Sequence, residues 1–192
     1  MKKLGTAARD LYRPDSKEEI PVDDLAVDTA LKDGDMVSLG NETIQAIEAK
    51  GHTDSSMAYA LEPDGILFTS ESTGIVEAGL AINTPILKSF ADAMTSLEKC
   101  RGYGAKYICL PHFGLIPQDF NEEYWMQFQQ GCEDRIQMVR EMKKEGLDAD
   151  QMLERYRDRY WDPIMEQEQP IEAFLINAKN IIKAALRALD EK

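Results

Sequence analysis

The residues of this 192-residue chain best suited to do chemistry are two histidines and a glutamate. His52 lies in a Gly51-His52-Thr53 turn, Glu71 follows the apolar run Ile66-Leu67-Phe68, and His112 follows Ile108-Cys109-Leu110-Pro111; the chain has no other histidine. Each falls just before or just past a predicted strand, where an α/β scaffold presents reactive side chains. Two imidazoles and a carboxylate suit zinc, manganese or iron. Taken singly, a histidine in such a turn is more simply explained as a cap on the next strand. Asp54 is a candidate to orient the His52 imidazole, or, more simply, a turn aspartate capping its own backbone. No Gly-x-Ser-x-Gly, phosphate-binding glycine loop or Cys-His nucleophile pair is present.

Short strands and turns must position these groups. Asp33-Gly34 and Gly40-Asn41 are turn signals around the run Met36 to Leu39, and Thr43 to Glu48 alternates with Ile44 and Ala46 on one face. Met57 to Leu61 and Ile66 to Thr69 form a hairpin across Glu62-Pro63-Asp64-Gly65. The twenty-residue gap between His52 and Glu71 is then one turn and one hairpin, out and back to the same edge. A helix is expected next, with Ile86, Phe90, Met94 and Leu97 as its stripe and Gly102 and Gly104 as its end. Tyr107 to Leu110 comes after it as a buried strand, with Cys109 an inert buried thiol.

Beyond residue 118 the pattern turns helical. Asn121 is the expected cap of a helix reaching Gly146, with Glu122 and Glu123 in its first turn. Asp148 opens a second helix. A third carries Ile171, Phe174, Leu175, Ala178, Ile182, Ala185, Leu186 and Leu189 on one stripe, more simply explained by the chain's own core than by a partner. Trp125, Tyr160 and Trp161 are candidate pocket residues, though helical aromatics more commonly serve the core. The chain thus divides into residues 1–117 and a helical extension of residues 118–192 packing on them.

Composition bounds the function. Hydrophobic residues make up 43% and charged residues 30%, as in a soluble globular protein. A net charge of −13 argues against nucleic acid or an anionic membrane as partner. No apolar run approaches the roughly 20 residues of a membrane-spanning helix. The first residues lack the apolar core of a signal peptide, and three scattered cysteines fit a reducing, cytoplasmic compartment. The acidic pair Asp23-Asp24 is read as solvated surface.

The stretch "EAKGHTDSSMAYALEPDGILFTSESTG" resembles the second-half signature of the metallo-β-lactamase superfamily, in which a Gly-His-Thr turn leads through a hairpin to Leu-Phe-Thr-Gly-Asp. "AKYICLPHFG" is similar to the later strand whose terminal histidine completes the metal site. The resemblance implies an α/β fold: the second βα half of an αββα sandwich, followed here by a helical C-terminal extension. It also implies a metal-dependent hydrolase of an ester, thioester or amide-type small molecule, acting through metal-activated water. The metal would be one or two zinc ions, with manganese or iron as alternatives. Carried over, His52 would bind one metal, His112 the other, and Glu71 would stand at the bridging aspartate.

Two departures qualify this. The family's His-x-His-x-Asp-His motif is absent, so the sequence reads as starting at the helix after the first half, "KKLGTAARDLYRP". Glu71 replaces aspartate, and Ser70 replaces glycine. A catalytic zinc site has three protein ligands plus water, whereas each metal here would have one histidine and a shared carboxylate. The chain alone is therefore expected to be inactive. A lone second-half sheet would also expose an apolar face, to be covered by the C-terminal helices, a second copy or a separately encoded first half. The alternative is a non-catalytic remnant or self-associating interaction module.

Overall fold

The computed structural model describes residues 27–190; the N-terminal helix reading and Asp23-Asp24 lie outside them. A six-stranded sheet forms the centre, in the order β1 (Met36–Ser38), β2 (Thr43–Glu48), β3 (Met57–Glu62), β4 (Ile66–Phe68), β7 (Tyr107–Leu110), β8 (Gly114–Leu115). All neighbours are antiparallel except β4 and β7, which run parallel. A parallel pair needs a crossover. Here it consists of a small hairpin of β5 (Ile75–Val76) and β6 (Ile82–Asn83), followed by helix α1 (Phe90–Gly102). Among the described residues four α-helices follow: α2 (Asn121–Lys144), α3 (Ala149–Tyr160), α4 (Met165–Glu168) and α5 (Ile171–Asp190).

The pairing register divides the strands' side chains between two faces. Ala58, Ala60, Leu67 and Ile108 fall on one face, and all are buried. They join Phe90 and Leu97 of α1, Tyr124 and Phe128 of α2, and Phe174 and Ile182 of α5 in a single core. Each large apolar side chain fully buried there contributes about 2 kcal/mol. Ile44 and Ala46 of β2 do share a face, opposite Leu61 and Tyr59, but it is not the core face: Ile47, opposite Ala58, is the β2 residue that joins the core.

The other face carries a row that crosses the sheet: Tyr59 beside Phe68, Phe68 beside Cys109, and Cys109 beside Leu115. Tyr59 is 36% exposed, Phe68 40% and Leu115 59%, and none belongs to the core. Among the described residues the C-terminal helices thus contribute to the Leu67 side and leave the Tyr59 side open. Cys109 is correspondingly half-buried and not enclosed, because Ile108 and Leu110 take the core-facing positions of β7. The enclosed thiols are Cys100 and Cys132, which burial pushes up to about 12.

The helices differ from expectation in detail. Ser89 caps α1, its hydroxyl accepting from the Asp92 N–H at 3.1 Å, so Ile86 is buried ahead of the helix and not on its stripe. Asn121 does not cap α2, whose cap position is Phe120. Its amide instead donates to the carbonyls of Ala105 and Lys106, tying α2 to the approach of β7. Asp148 caps α3 in a full capping box with Gln151. On α5, Phe174, Ala178, Ile182 and Ala185 are buried, whereas Ile171 is 36% exposed. Among the described residues no helix is long and apolar enough to cross a membrane.

Candidate metal-binding site

Topology gathers the three candidate ligands. The loop from β2 into β3 opens at the end of the sheet where β4 finishes, because β3 and β4 are antiparallel. β7 runs parallel to β4, so its C-terminal end lies there too. His52 is in that loop, Glu71 follows β4 and His112 follows β7.

The His52 loop is clamped on both sides. Gly51, at φ +137°, lies so near α1 that a Cβ would stand 2.7 Å from the Ala93 Cβ. The Gly51 carbonyl accepts from the N–H groups of Lys88 and Ser89, and the Ser96 hydroxyl donates to the Lys50 carbonyl at 2.7 Å. The backbone N–H of His52 donates to Ser72 Oγ at 3.0 Å, and its Nδ1 lies 2.5 Å from the Pro85 carbonyl oxygen. A carbonyl only accepts, so that contact places a hydrogen on Nδ1.

Glu71 opens a short turn, Glu71–Thr73, capped by the Ser70 hydroxyl. Ser72 and Thr73 are fully buried, and the Tyr124 hydroxyl donates to Thr73 at its carbonyl (2.8 Å) or Oγ1 (2.9 Å). Burial raises the Tyr124 phenol well above its ordinary range, which keeps it neutral and able to donate. The turn is thereby fixed from beneath, and the Glu71 side chain projects from a rigid base.

The carboxylate then spans the two imidazoles. Glu71 Oε2 is 3.3 Å from His52 Nε2, and Oε1 is 3.1 Å from His112 Nε2. His112 adopts φ +65°, a left-handed conformation that costs a non-glycine residue about 1–2 kcal/mol. Asp54 does not reach His52; its carboxylate pairs with Lys88 Nζ at 3.4 Å, in solvent. Of the aromatic candidates, Trp125 is 3% exposed and packs on Tyr124, while Tyr160 and Trp161 pack against the core beside Tyr156 and Phe174.

The donors are right in kind for zinc and short in number. Each histidine meets a different carboxylate oxygen, so the three side chains do not converge on one point. Among the described residues no group of three or more His, Cys, Asp or Glu is arranged to hold a metal ion. One imidazole and one carboxylate oxygen are available per ion, below the three protein ligands of a catalytic zinc site.

No protein-family model matches the sequence. Solved structures that share the fold include three with related descriptions. A metallo-beta-lactamase family protein from Thermus thermophilus superposes with a TM-score of 0.62 at 16% identity, over 95% of this chain and 62% of that one. A beta-lactamase domain protein from Burkholderia ambifaria gives 0.58 at 17% identity, over 84% and 46%. An archaeal metallo-beta-lactamase superfamily protein from Sulfolobus tokodaii gives 0.52 at 21%, over 66% and 50%. The chain has a metallo-β-lactamase fold. It spans between 46% and 62% of the length of these three structures.

Two groups at the site escaped sequence reasoning. The Pro85 carbonyl that holds His52 is a backbone atom, and no residue type announces it. Arg135 is 7% exposed and hydrogen-bonded to Asn83, two residues before Pro85; in the sequence it reads as one more charge on an amphipathic helix.

Proposed function

We propose that this chain supplies His52, Glu71 and His112 to the metal site of a metallo-β-lactamase-fold hydrolase acting on a small ester, thioester or amide-type substrate. The observation that carries this reading is the Glu71 carboxylate set between two imidazole Nε2 atoms, 3.3 and 3.1 Å away, at one end of a sheet with this fold. Zinc suits the donors best, with manganese or iron as alternatives. The remaining ligands come from further polypeptide, and the open Tyr59–Phe68–Leu115 face is where it would dock: a first-half segment or a second copy. By itself, the chain is inactive. Free Cys100, Cys109 and Cys132 support a reducing, cytoplasmic setting.

Calorimetric titration with zinc tests the ligand assignment. The chain should bind zinc weakly, with His52→Ala and Glu71→Ala each lowering the affinity at least about tenfold. Variants that bind zinc as the parent does would overturn the assignment.

A second reading is a non-catalytic, self-associating module. It is favoured by the same open face and by a Glu71 carboxylate that already has a partner, His112 Nε2, with which it is hydrogen-bonded at 3.1 Å. Zinc binding at or below the level of the His52→Ala and Glu71→Ala variants would favour this reading.

A further inference from the structure

Arg135 is a buried cation that, among the described residues, has no carboxylate within ion-pairing distance of its guanidinium. Burying such a group costs several kcal/mol unless its donors are met. Nε donates to the Tyr156 hydroxyl at 3.2 Å, Nη1 to the Gly131 carbonyl at 3.2 Å and Nη2 to Asn83 Oδ1 at 2.6 Å. The guanidinium also lies 4.6 Å from the centre of the Tyr160 ring. The shortest of these bonds leaves the helical region and grips the end of β6.

The two residues after Asn83 carry that grip to the site. Thr84 is fully buried, and Pro85 is the residue whose carbonyl meets His52 Nδ1 at 2.5 Å. Helix α2 meets this segment with no side chain at Gly131, where a Cβ would stand 2.9 Å from Thr84 Cγ2. Gly131 and Arg135 are four residues apart, on one face of α2. The first lets the helix come close, and the second ties it down.

We infer that Arg135 is a positioning residue for His52: through Asn83 it fixes the Thr84-Pro85 segment, so that the Pro85 carbonyl holds His52 with its hydrogen on Nδ1. The contact to Pro85, at 2.5 Å, outranks the 3.3 Å approach of Nε2 to Glu71. In neutral His52 the lone pair is therefore on Nε2, the atom that faces Glu71. An outer hydrogen bond that sets the tautomer of a ligating histidine tunes its affinity for metal. The relevance to metal rests on the function proposed above; the tautomer itself does not.

The test is nitrogen NMR of the metal-free chain near pH 9, above the ordinary histidine range of about 6.5, reading the two ring nitrogens of His52 and of His112. The parent should show His52 protonated at Nδ1. Arg135→Met should move His52 toward the other tautomer and leave His112 unchanged, with Arg135→Lys recovering part of the parent signal. Asn83→Ala breaks the same link while leaving the Tyr156, Gly131 and Tyr160 contacts of Arg135, and serves if Arg135→Met does not fold. Zinc affinity should fall about tenfold in both disrupting variants. An unchanged His52 signal in either folded variant overturns the inference and leaves the proposed function standing. A shifted tautomer in a chain that binds no zinc overturns the proposed function and supports the positioning role.

Discussion

Gly51 packs directly against Ala93: a Cβ on Gly51 would meet the Ala93 Cβ at 2.7 Å and its Cα at 2.8 Å. The residue before His52 thus has to be a glycine for two reasons, the left-handed φ of +137° and the helix behind it. Neither the backbone of α1 nor that of the loop can move away without breaking the bonds from Lys88 and Ser89 to the Gly51 carbonyl. Gly51→Ala should therefore destabilise the fold by about 3 kcal/mol, adding overpacking to backbone strain. Gly102→Ala is the control: no atom lies within 4 Å of a Cβ there, and its φ is not positive. That change should be neutral or stabilise by up to about 1 kcal/mol. Urea unfolding of the two variants checks both signs.

Glu77 gives a pH-dependent expectation. Burial, and after it the Glu168 carboxylate, push its carboxyl above the ordinary value of 4.5, against the opposing pull of Arg135. A carboxyl whose folded value is raised favours the fold below its unfolded value, and that contribution is lost as pH rises through the folded value. At pH 7 Glu77 is thus a net cost. Glu77→Gln should be more stable than the parent at neutral pH, and the difference should shrink toward zero below about pH 4. Unfolding curves across that range would show a gap independent of pH if burial of the charge is not the cause.

The open sheet face predicts association. Tyr59, Phe68 and Leu115 form one apolar row with Cys109, and patches of this kind mark interaction surfaces. At micromolar concentration the chain should sediment as more than a monomer. Changing Tyr59, Phe68 and Leu115 together to threonine should return it to a monomer with unchanged far-ultraviolet circular dichroism, since none of the three contributes to the core. A parent chain that sediments as one monomeric species would show that the face is not an interface between copies.

Much of this architecture was legible because it follows from local pattern. The Pro63-Asp64-Gly65 turn and the Asp148 cap each matched a single element, whereas in Thr43 to Glu48 the strand was legible but its core face, that of Ile47, was not. Where the reading slipped, a tertiary contact outweighed the local signal. Ile86 has helical spacing to Phe90, yet Ser89 starts the helix and Ile86 is buried outside it. Asn121 looks like a cap and instead bonds to the carbonyls before β7. At the site, His52, Glu71 and His112 stood out by residue type and by their places at strand ends. The left-handed backbone of His112, the Pro85 carbonyl and the buried Arg135 did not. Backbone conformation and burial are set by neighbours distant in sequence, and a positive charge on a helix looks the same whether it faces solvent or a core.

Whether His52, Glu71 and His112 are metal donors is decided by anomalous diffraction at the zinc edge from crystals of the chain soaked in zinc. A peak should lie about 2.0–2.2 Å from a Glu71 oxygen and from the Nε2 of His52 or His112, at partial occupancy because each ion has only two of its ligands. No peak between these side chains at saturating zinc, with the Glu71 contacts to both histidines intact, would contradict that role.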